Sequence, residues 1–339
     1  MKILVTGGLG YIGAHTVVEL QAAGYEVVIV DNLSNTRIAV LDKIEQISGI
    51  RPQYSNFDLA DRNACFDFFK NTKNIEGIIH FAAYKAVGES VQKPIMYYHN
   101  NIGSLINIME NMELHNIPNL VFSSSCTVYG QPDELPVTEQ APRKPAMSPY
   151  GNTKQIAEDI IRDTIYSSKL KSIALRYFNP VGAHETALIG ELPLGVPNNL
   201  MPFITQTASG IRQQLSVFGE DYNTPDGTAI RDYIHVVDLA KAHVIAVKRM
   251  IEKTGKLDFE IFNLGTGNGF SVLEVIKSFE KVSEKKLNYK IVDRREGDIE
   301  KVWANTDFAN MELGWKAEKS LDEMTLSSWN YQLELDKNN

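Results

Sequence analysis

Cysteine is scarce: the 339 residues contain two, Cys65 and Cys126, without Cys-x-x-Cys spacing and without a neighbouring histidine cluster. A disulfide framework and a thiolate metal site are therefore excluded, and both read as buried thiols. Runs of Lys or Arg are missing as well. With 34 basic against 42 acidic residues the formal charge is −8, so the clustered cations that nucleic acid requires are absent. No apolar stretch approaches the ~20 residues of a membrane span. Met1 to Thr6 turns glycine-rich before a signal segment can develop, so a cytoplasmic protein with no membrane partner is expected. The seven histidines, His15, His80, His99, His115, His184, His235 and His243, show no ligand spacing, and no metal is assigned. Internal repeats, low-complexity tracts and charge runs are lacking too.

What is present is ordinary globular composition, 43% apolar and 22% charged, in a chain too long for one domain of ~150 residues. Apolar runs alternate with amphipathic stretches through the first half. Residues 2–6, 26–30, 77–81, 119–123 and 171–177 read as strands, and 13–23, 36–47, 95–112 and 149–168 as helices. That rhythm predicts an α/β fold: a Rossmann-type, doubly wound parallel sheet over residues 1–180, followed by a smaller mixed α/β domain over 181–339. The later elements are helices at 201–210, 236–250, 272–282 and 321–333 and a strand at 260–264. Segments at about 234–265 are free to return to the first sheet, so the boundary in sequence need not be the boundary in space.

Gly7, Gly10 and Gly13 lie between the first strand and the first helix in a Gly-x-x-Gly-x-x-Gly pattern. A phosphate-cradling turn needs glycine at the bend for positive φ, mid-loop for backbone approach to a pyrophosphate, and on the first helical turn for close packing. An ordinary tight turn would need none of these together. Asp31, ending the second strand, is placed to accept hydrogen bonds from adenosine ribose hydroxyls and to repel a 2′-phosphate, so NAD is favoured over NADP. Asp58-Leu59 follows another short strand and can flank an adenine or open a helix.

Ser148-Pro149-Tyr150-Gly151-Asn152-Thr153-Lys154 opens a helix with a capping Ser and an early Pro, and sets Tyr150 and Lys154 four apart on one face. A phenol titrates near 10 and is a poor base at neutral pH; an adjacent ammonium and a nicotinamide cation both favour its phenolate. Ser123, Ser124 and Ser125 leave the carboxyl edge of a parallel strand, where such folds bind ligands, and one of their hydroxyls can align a proton transfer to Tyr150.

Together these residues resemble the extended short-chain dehydrogenase/reductase family. The stretches Phe81-Ala82-Ala83-Tyr84-Lys85, Tyr177-Phe178-Asn179-Pro180, Asn198-Asn199-Leu200, Arg231-Asp232-Tyr233 and Arg294-Arg295-Glu296-Gly297-Asp298 are similar to its UDP-sugar 4-epimerase branch, over almost the whole chain. The resemblance implies an isomerase of galactose metabolism, a homodimer with tightly held NAD, that interconverts UDP-glucose and UDP-galactose. In that reaction Tyr150, with Ser125, takes the proton of the sugar 4-hydroxyl, C4 gives up its hydride, and the 4-keto sugar takes it back on the other face. It further implies that Tyr11, Ile12, Asp31, Asn32, Asp58, Leu59, Phe81, Ala82, Lys85, Asn100, Ser125, Tyr150, Lys154 and Phe178 contact NAD, and that Ser125, Tyr150, Asn179, Asn199, Leu200, Phe218, Arg231, Tyr233, Arg295, Asp298 and Val302 contact the UDP-hexose. Guanidinium forks at Arg231 and Arg295 suit diphosphate oxygens.

Two departures matter. Cys126 stands where the family usually has Ala. Val302 occupies a position where relatives differ between Tyr and smaller residues; the small side chain implies that UDP-N-acetylglucosamine is accepted too. A 4,6-dehydratase would carry Asp-Glu where this chain has Cys126-Thr127, and a non-catalytic NAD-binding sensor would be expected to lack Tyr150 or Lys154.

Overall fold

The computed structural model describes residues 1–295 and 298–337. Its strands, in chain order, are β1 (Lys2–Thr6), β2 (Glu26–Val30), β3 (Gln53–Ser55), β4 (Ile75–His80), β5 (Asn119–Ser125), β6 (Lys171–Tyr177), β7 (Asn179–Val181), β8 (Leu215–Phe218), β9 (Ile230–Arg231), β10 (Tyr233–His235), β11 (Phe259–Leu264), β12 (Phe270–Ser271), β13 (Tyr289–Val292) and β14 (Lys301–Val302). The helices are α1 (Tyr11–Ala22), α2 (Ala39–Ser48), α3 (Arg62–Asn71), α4 (Val87–Gln92), α5 (Pro94–His115), α6 (Pro149–Ser167), α7 (Leu200–Ala208), α8 (Val236–Ile251), α9 (Val272–Ser283) and α10 (Leu321–Lys337).

Seven strands form one parallel sheet in the order β11-β6-β5-β4-β1-β2-β3. Its strands read as unbroken apolar runs because helices cover both faces. On one face Ile3, Val5, Val17, Leu20, Ile29 and Leu239 share a core with α8; on the other Leu4, Phe69, Ile108, Met112, Phe122 and Ile161 join α3, α5 and α6. Strand order reverses between β1 and β4, and the crevice outside the carboxyl ends at such a switch point is where ligands bind. β11, late in the chain, pairs in parallel with β6, Phe262 against Leu175. Ala309, Leu313 and Trp315, from well beyond residue 265, also pack in the β1 core.

A separate core of Ile204, Val217, Tyr233, Phe279, Met324 and Trp329 holds the later elements. Asp232 ties their strands together. Its carboxylate accepts from Thr266 N (2.8 Å), Gly267 N (3.1 Å) and Ala304 N (3.1 Å), which fixes the flanking Arg231 and Tyr233.

Four buried histidines make this packing acid-sensitive. Burial lowers His15 and His80 from 6.5 to about 3, and His235 and His243 to about 4. Above pH 6.5 they are neutral folded or unfolded; as pH falls below it, the unfolded chain takes up protons that the folded one refuses. Stability is therefore lost progressively from about pH 6.5 down to about pH 3. At pH 5.5 the four together cost on the order of 5 kcal/mol. Thermal melts at pH 7.5 and 5.5 check this; equal midpoints would contradict it.

Candidate active site

The first turn after β1 is built on backbone geometry. Gly7 has φ +68°, and a Cβ there would stand 2.9 Å from Ala82 N; a Cβ on Gly13 would fall 2.2 Å from Gly7 O. Gly10 caps α1 with no side-chain bond, and no acidic residue stands in the first turn of the helix. That suits a pyrophosphate. Asp31 anchors the same turn, its carboxylate accepting from Leu9 N (3.1 Å) and Leu33 N (2.9 Å). Burial raises its pKa while those N–H groups pull it down. Backbone N–H groups do not exhaust the roughly four acceptor positions of a carboxylate, which leaves room for ribose hydroxyls. Phe81 is brought alongside by its N–H to Thr6 O (3.1 Å), and Tyr11 donates to Gly182 O (2.6 Å). Asn32 closes a local turn to Ser34 N (3.0 Å), Asn100 donates to Asn101 (2.9 Å), and Leu59 is buried. Asp58 is exposed and bonds Ala60 N at 2.9 Å, a turn-opening role that occupies one of its oxygens.

The three strand-end serines divide their work. Ser123 accepts from Lys154 through its carbonyl, Ser124 donates to Glu158 (2.6 Å), and the Ser125 hydroxyl, which accepts from Thr127 N (3.2 Å), lies close enough to Tyr150 to pull its pKa down. Ser148 caps α6 through Gly151 N at 3.1 Å, as expected. Lys154, one helical turn after Tyr150, is buried and donates to Ser123 O (2.6 Å), its Nζ 4.9 Å from the Phe122 ring and 6.0 Å from the Tyr150 ring. Burial pushes Tyr150 up to about 12, with the Ser125 hydroxyl opposing, and brings Lys154 down to about 8, with Glu158 opposing. Desolvation dominates both groups, so without a bound cofactor the phenol is neutral at pH 7.

Arg231, Phe218, Arg295 and Asp298 converge from β8, β9 and the segment before β14. Arg295 donates to Asp298 (2.7 Å), the Arg231 guanidinium lies 3.9 Å from the same carboxylate, and Arg295 sits 5.7 Å from the Phe218 ring. Asp298 thus engages the two cations expected to meet a diphosphate. Glu296 and Gly297 of that motif lie outside the described residues. Val302 pairs with Arg231 in the β14–β9 ladder and packs in one core with Phe178 and Cys126. Asn179 and Tyr233 face each other across the β7–β10 pair, and Asn199 and Leu200 open α7.

Two residues escaped the sequence reading. Glu191 accepts from Asn199 (2.6 Å) and Lys85 (3.3 Å), bridging the two expected ligand sites. Tyr222 is buried with the Arg294 guanidinium 4.1 Å from its ring, and its hydroxyl has no hydrogen-bond partner among the described residues. Neither lies in a motif with a readable spacing.

A glycine turn at the switch point, with a Tyr and Lys one turn apart at the carboxyl edge, defines a short-chain dehydrogenase/reductase. The family profile described as GDP-mannose 4,6 dehydratase matches residues 4–327. The chain is 51% identical over 333 residues to the UDP-glucose 4-epimerase of Bacillus subtilis, covering 98% of this chain and 97% of that one. A UDP-glucose 4-epimerase structure from Bifidobacterium longum, in complex with NAD+ and UDP, superposes with a TM-score of 0.95 at 46% identity and complete coverage (100%) of both chains. The UDP-Glc/GlcNAc 4-epimerase of Campylobacter jejuni matches at a TM-score of 0.83 and 32% identity, over 98% and 99% of the two chains. The chain belongs to the UDP-glucose 4-epimerase family, within the extended short-chain dehydrogenases/reductases.

Proposed function

We propose that this protein interconverts UDP-glucose and UDP-galactose, with NAD held in the glycine turn and the sugar between Tyr150 and the β9–β14 strands. The observation that carries this reading is the convergence of Tyr150, Ser125 and Lys154 at the switch-point crevice, with the Lys154 Nζ 6.0 Å from the Tyr150 ring and bonded to the strand end at Ser123 O. Bound NAD supplies a positively charged hydride acceptor that is restored at the end of each cycle. Tyr150 exchanges the proton of the sugar 4-hydroxyl, Ser125 aligns that exchange, and Lys154 keeps positive charge beside the phenol at neutral pH. Arg231 and Arg295 grip the diphosphate, Asp298 turns from them to the uridine ribose, and Asn179, Asn199, Leu200, Phe218 and Tyr233 enclose the nucleotide.

The Cys126-Thr127 pair supports epimerisation over dehydration, since it offers no carboxylate beside C5 and C6. Purified protein given UDP-galactose without added NAD should form UDP-glucose. No conversion under those conditions, in protein that carries bound NAD, would overturn the reading.

Buried Val302, small and beside Arg231 in the ladder, supports acceptance of the N-acetylated sugars as well. Val302→Tyr is expected to cut kcat/KM for UDP-N-acetylglucosamine at least about tenfold while changing that for UDP-glucose less than about threefold, as steric rejection of an extra group allows. Equal losses would refute the gate.

Ile95, Ile106 and Tyr166 expose apolar surface on α5 and α6, which supports pairing with a second copy. Light scattering should give twice the chain mass of 38.0 kDa. Both cysteines are free thiols, which supports a reducing, cytoplasmic setting. Among the described residues no helix is long and apolar enough to cross a membrane.

A further inference from the structure

Beneath the reacting groups lies a polar cluster that the proposed chemistry does not use. Glu158 follows Lys154 by one turn of α6 and is completely buried (0% exposed). Arg176, from β6, grips it at both oxygens, Nε to Oε1 at 2.9 Å and Nη2 to Oε2 at 2.6 Å. Ser124, at the end of β5, donates to Oε1 at 2.6 Å, and Arg143 approaches Oε2 at 3.8 Å. Arg176 also donates to Tyr129 (2.9 Å), which in turn donates to Asn263 of β11 (2.6 Å). One carboxylate thus joins α6 to the strand end where Ser123 accepts from Lys154 and Ser125 lies beside Tyr150.

We propose that Glu158 is a positioning residue for the catalytic group: it clamps the end of β5 to α6 and sets negative charge one turn from Lys154. The inference rests on the reading of Tyr150 and Lys154 as the reacting pair.

Other groups face Lys154 from every side. β4 contributes His80, held neutral by burial, and β5 contributes the Ser123 carbonyl and the Phe122 ring. Tyr150 lies on α6 itself and is flanked by Cys126, which burial keeps protonated, and by Tyr97 of α5, bonded to Glu89 of α4. Arg176 and Arg143 lie against Glu158. Of these charges, the one that offsets the desolvation of Lys154 is that of Glu158. A buried ion pair alone is weak evidence of stability. The Ser124 bond and the one-turn spacing to Lys154 point to the site instead.

The test uses holoenzyme carrying 13Cε-labelled lysine, with Lys154→Met identifying the resonance, in wild type, Glu158→Gln, Arg176→Gln and the double variant. The Lys154 midpoint, about 8 in wild type, should fall in Glu158→Gln by about one pH unit. It should also fall in the double variant, which strands no buried charge and keeps the test open if the single variant does not fold. Arg176→Gln, which leaves the carboxylate in place, should not lower it. In Glu158→Gln, kcat for UDP-galactose should drop about fivefold at pH 8, and the deficit should vanish towards pH 6, with KM moving less than about twofold, because only the charged fraction of Lys154 changes. A midpoint unmoved in the double variant, or lowered equally by Arg176→Gln with a deficit flat across pH, overturns the proposal. If wild type converts no UDP-hexose while the midpoints shift as stated, the functional reading falls and the charge arrangement stands.

Discussion

Tyr150→Phe is expected to lower kcat for UDP-galactose about a thousandfold, within the range that removal of a positioned acid–base group produces. The substitution deletes one oxygen and keeps the ring. Packing should survive, because Lys154 remains bonded to Ser123 O at 2.6 Å and α6 keeps its Ser148 cap at 3.1 Å. The stoichiometry of bound NAD should be unchanged and KM should move only a few-fold, so the loss falls on the chemical step. Its size follows from the local electrostatics. Burial holds the phenol at about 12, so at pH 7 it is a neutral hydroxyl, and phenylalanine leaves a ring that can neither give nor take a proton. Ser125→Ala should cost less, because it loses alignment and leaves the proton acceptor in place. Retention of more than a tenth of wild-type turnover by Tyr150→Phe would remove the phenol from the reaction.

The second large effect is structural in origin and functional in outcome. Gly13→Ala inserts a methyl group 2.2 Å from Gly7 O, 2.8 Å from Gly8 Cα and 3.0 Å from Gly7 C, all backbone atoms. Helix propensity alone favours Ala over Gly by about 1 kcal/mol. The clash opposes this with the ~1–3 kcal/mol typical of overpacking, and no flexible side chain is present to yield. Sterics therefore win, and the turn moves away from α1. The expected result is protein that purifies with less than a tenth of its NAD and melts several degrees lower. Gly88→Ala is the control: a Cβ there meets nothing within 4 Å, so cofactor content should be unchanged. If Gly13→Ala keeps its full NAD complement, close packing at that position is not what builds the turn.

Much of this arrangement was legible in the chain itself. β1, β2 and β6 were read with the bounds the structure gives, because runs such as Ile3-Leu4-Val5 and Val27-Val28-Ile29 leave no polar face to solvent. α6 began where Ser148 and Pro149 placed it, and Tyr150 and Lys154 share a face by helical geometry alone. α2 starts three residues later than read: Thr36 donates to Leu9 O (2.6 Å), holding that segment to the turn. α3 went unread because it buries Cys65, Phe68 and Phe69 and little else, too brief a stripe to show a period.

Local order, then, belongs to the sequence: apolar periodicity, capping residues and the glycine spacing act between near neighbours, and they sufficed for the parallel sheet, the glycine turn and the one-turn spacing of Tyr150 and Lys154. The fold alone decided how charge is arranged. Arg176 closes on Glu158, Glu191 bridges Lys85 and Asn199, and Asp298 takes up Arg295. It also decided that Tyr150 is driven up and not down. Burial and long-range pairing depend on which distant segments pack together, and no spacing along the chain encodes the dielectric that a side chain will meet there.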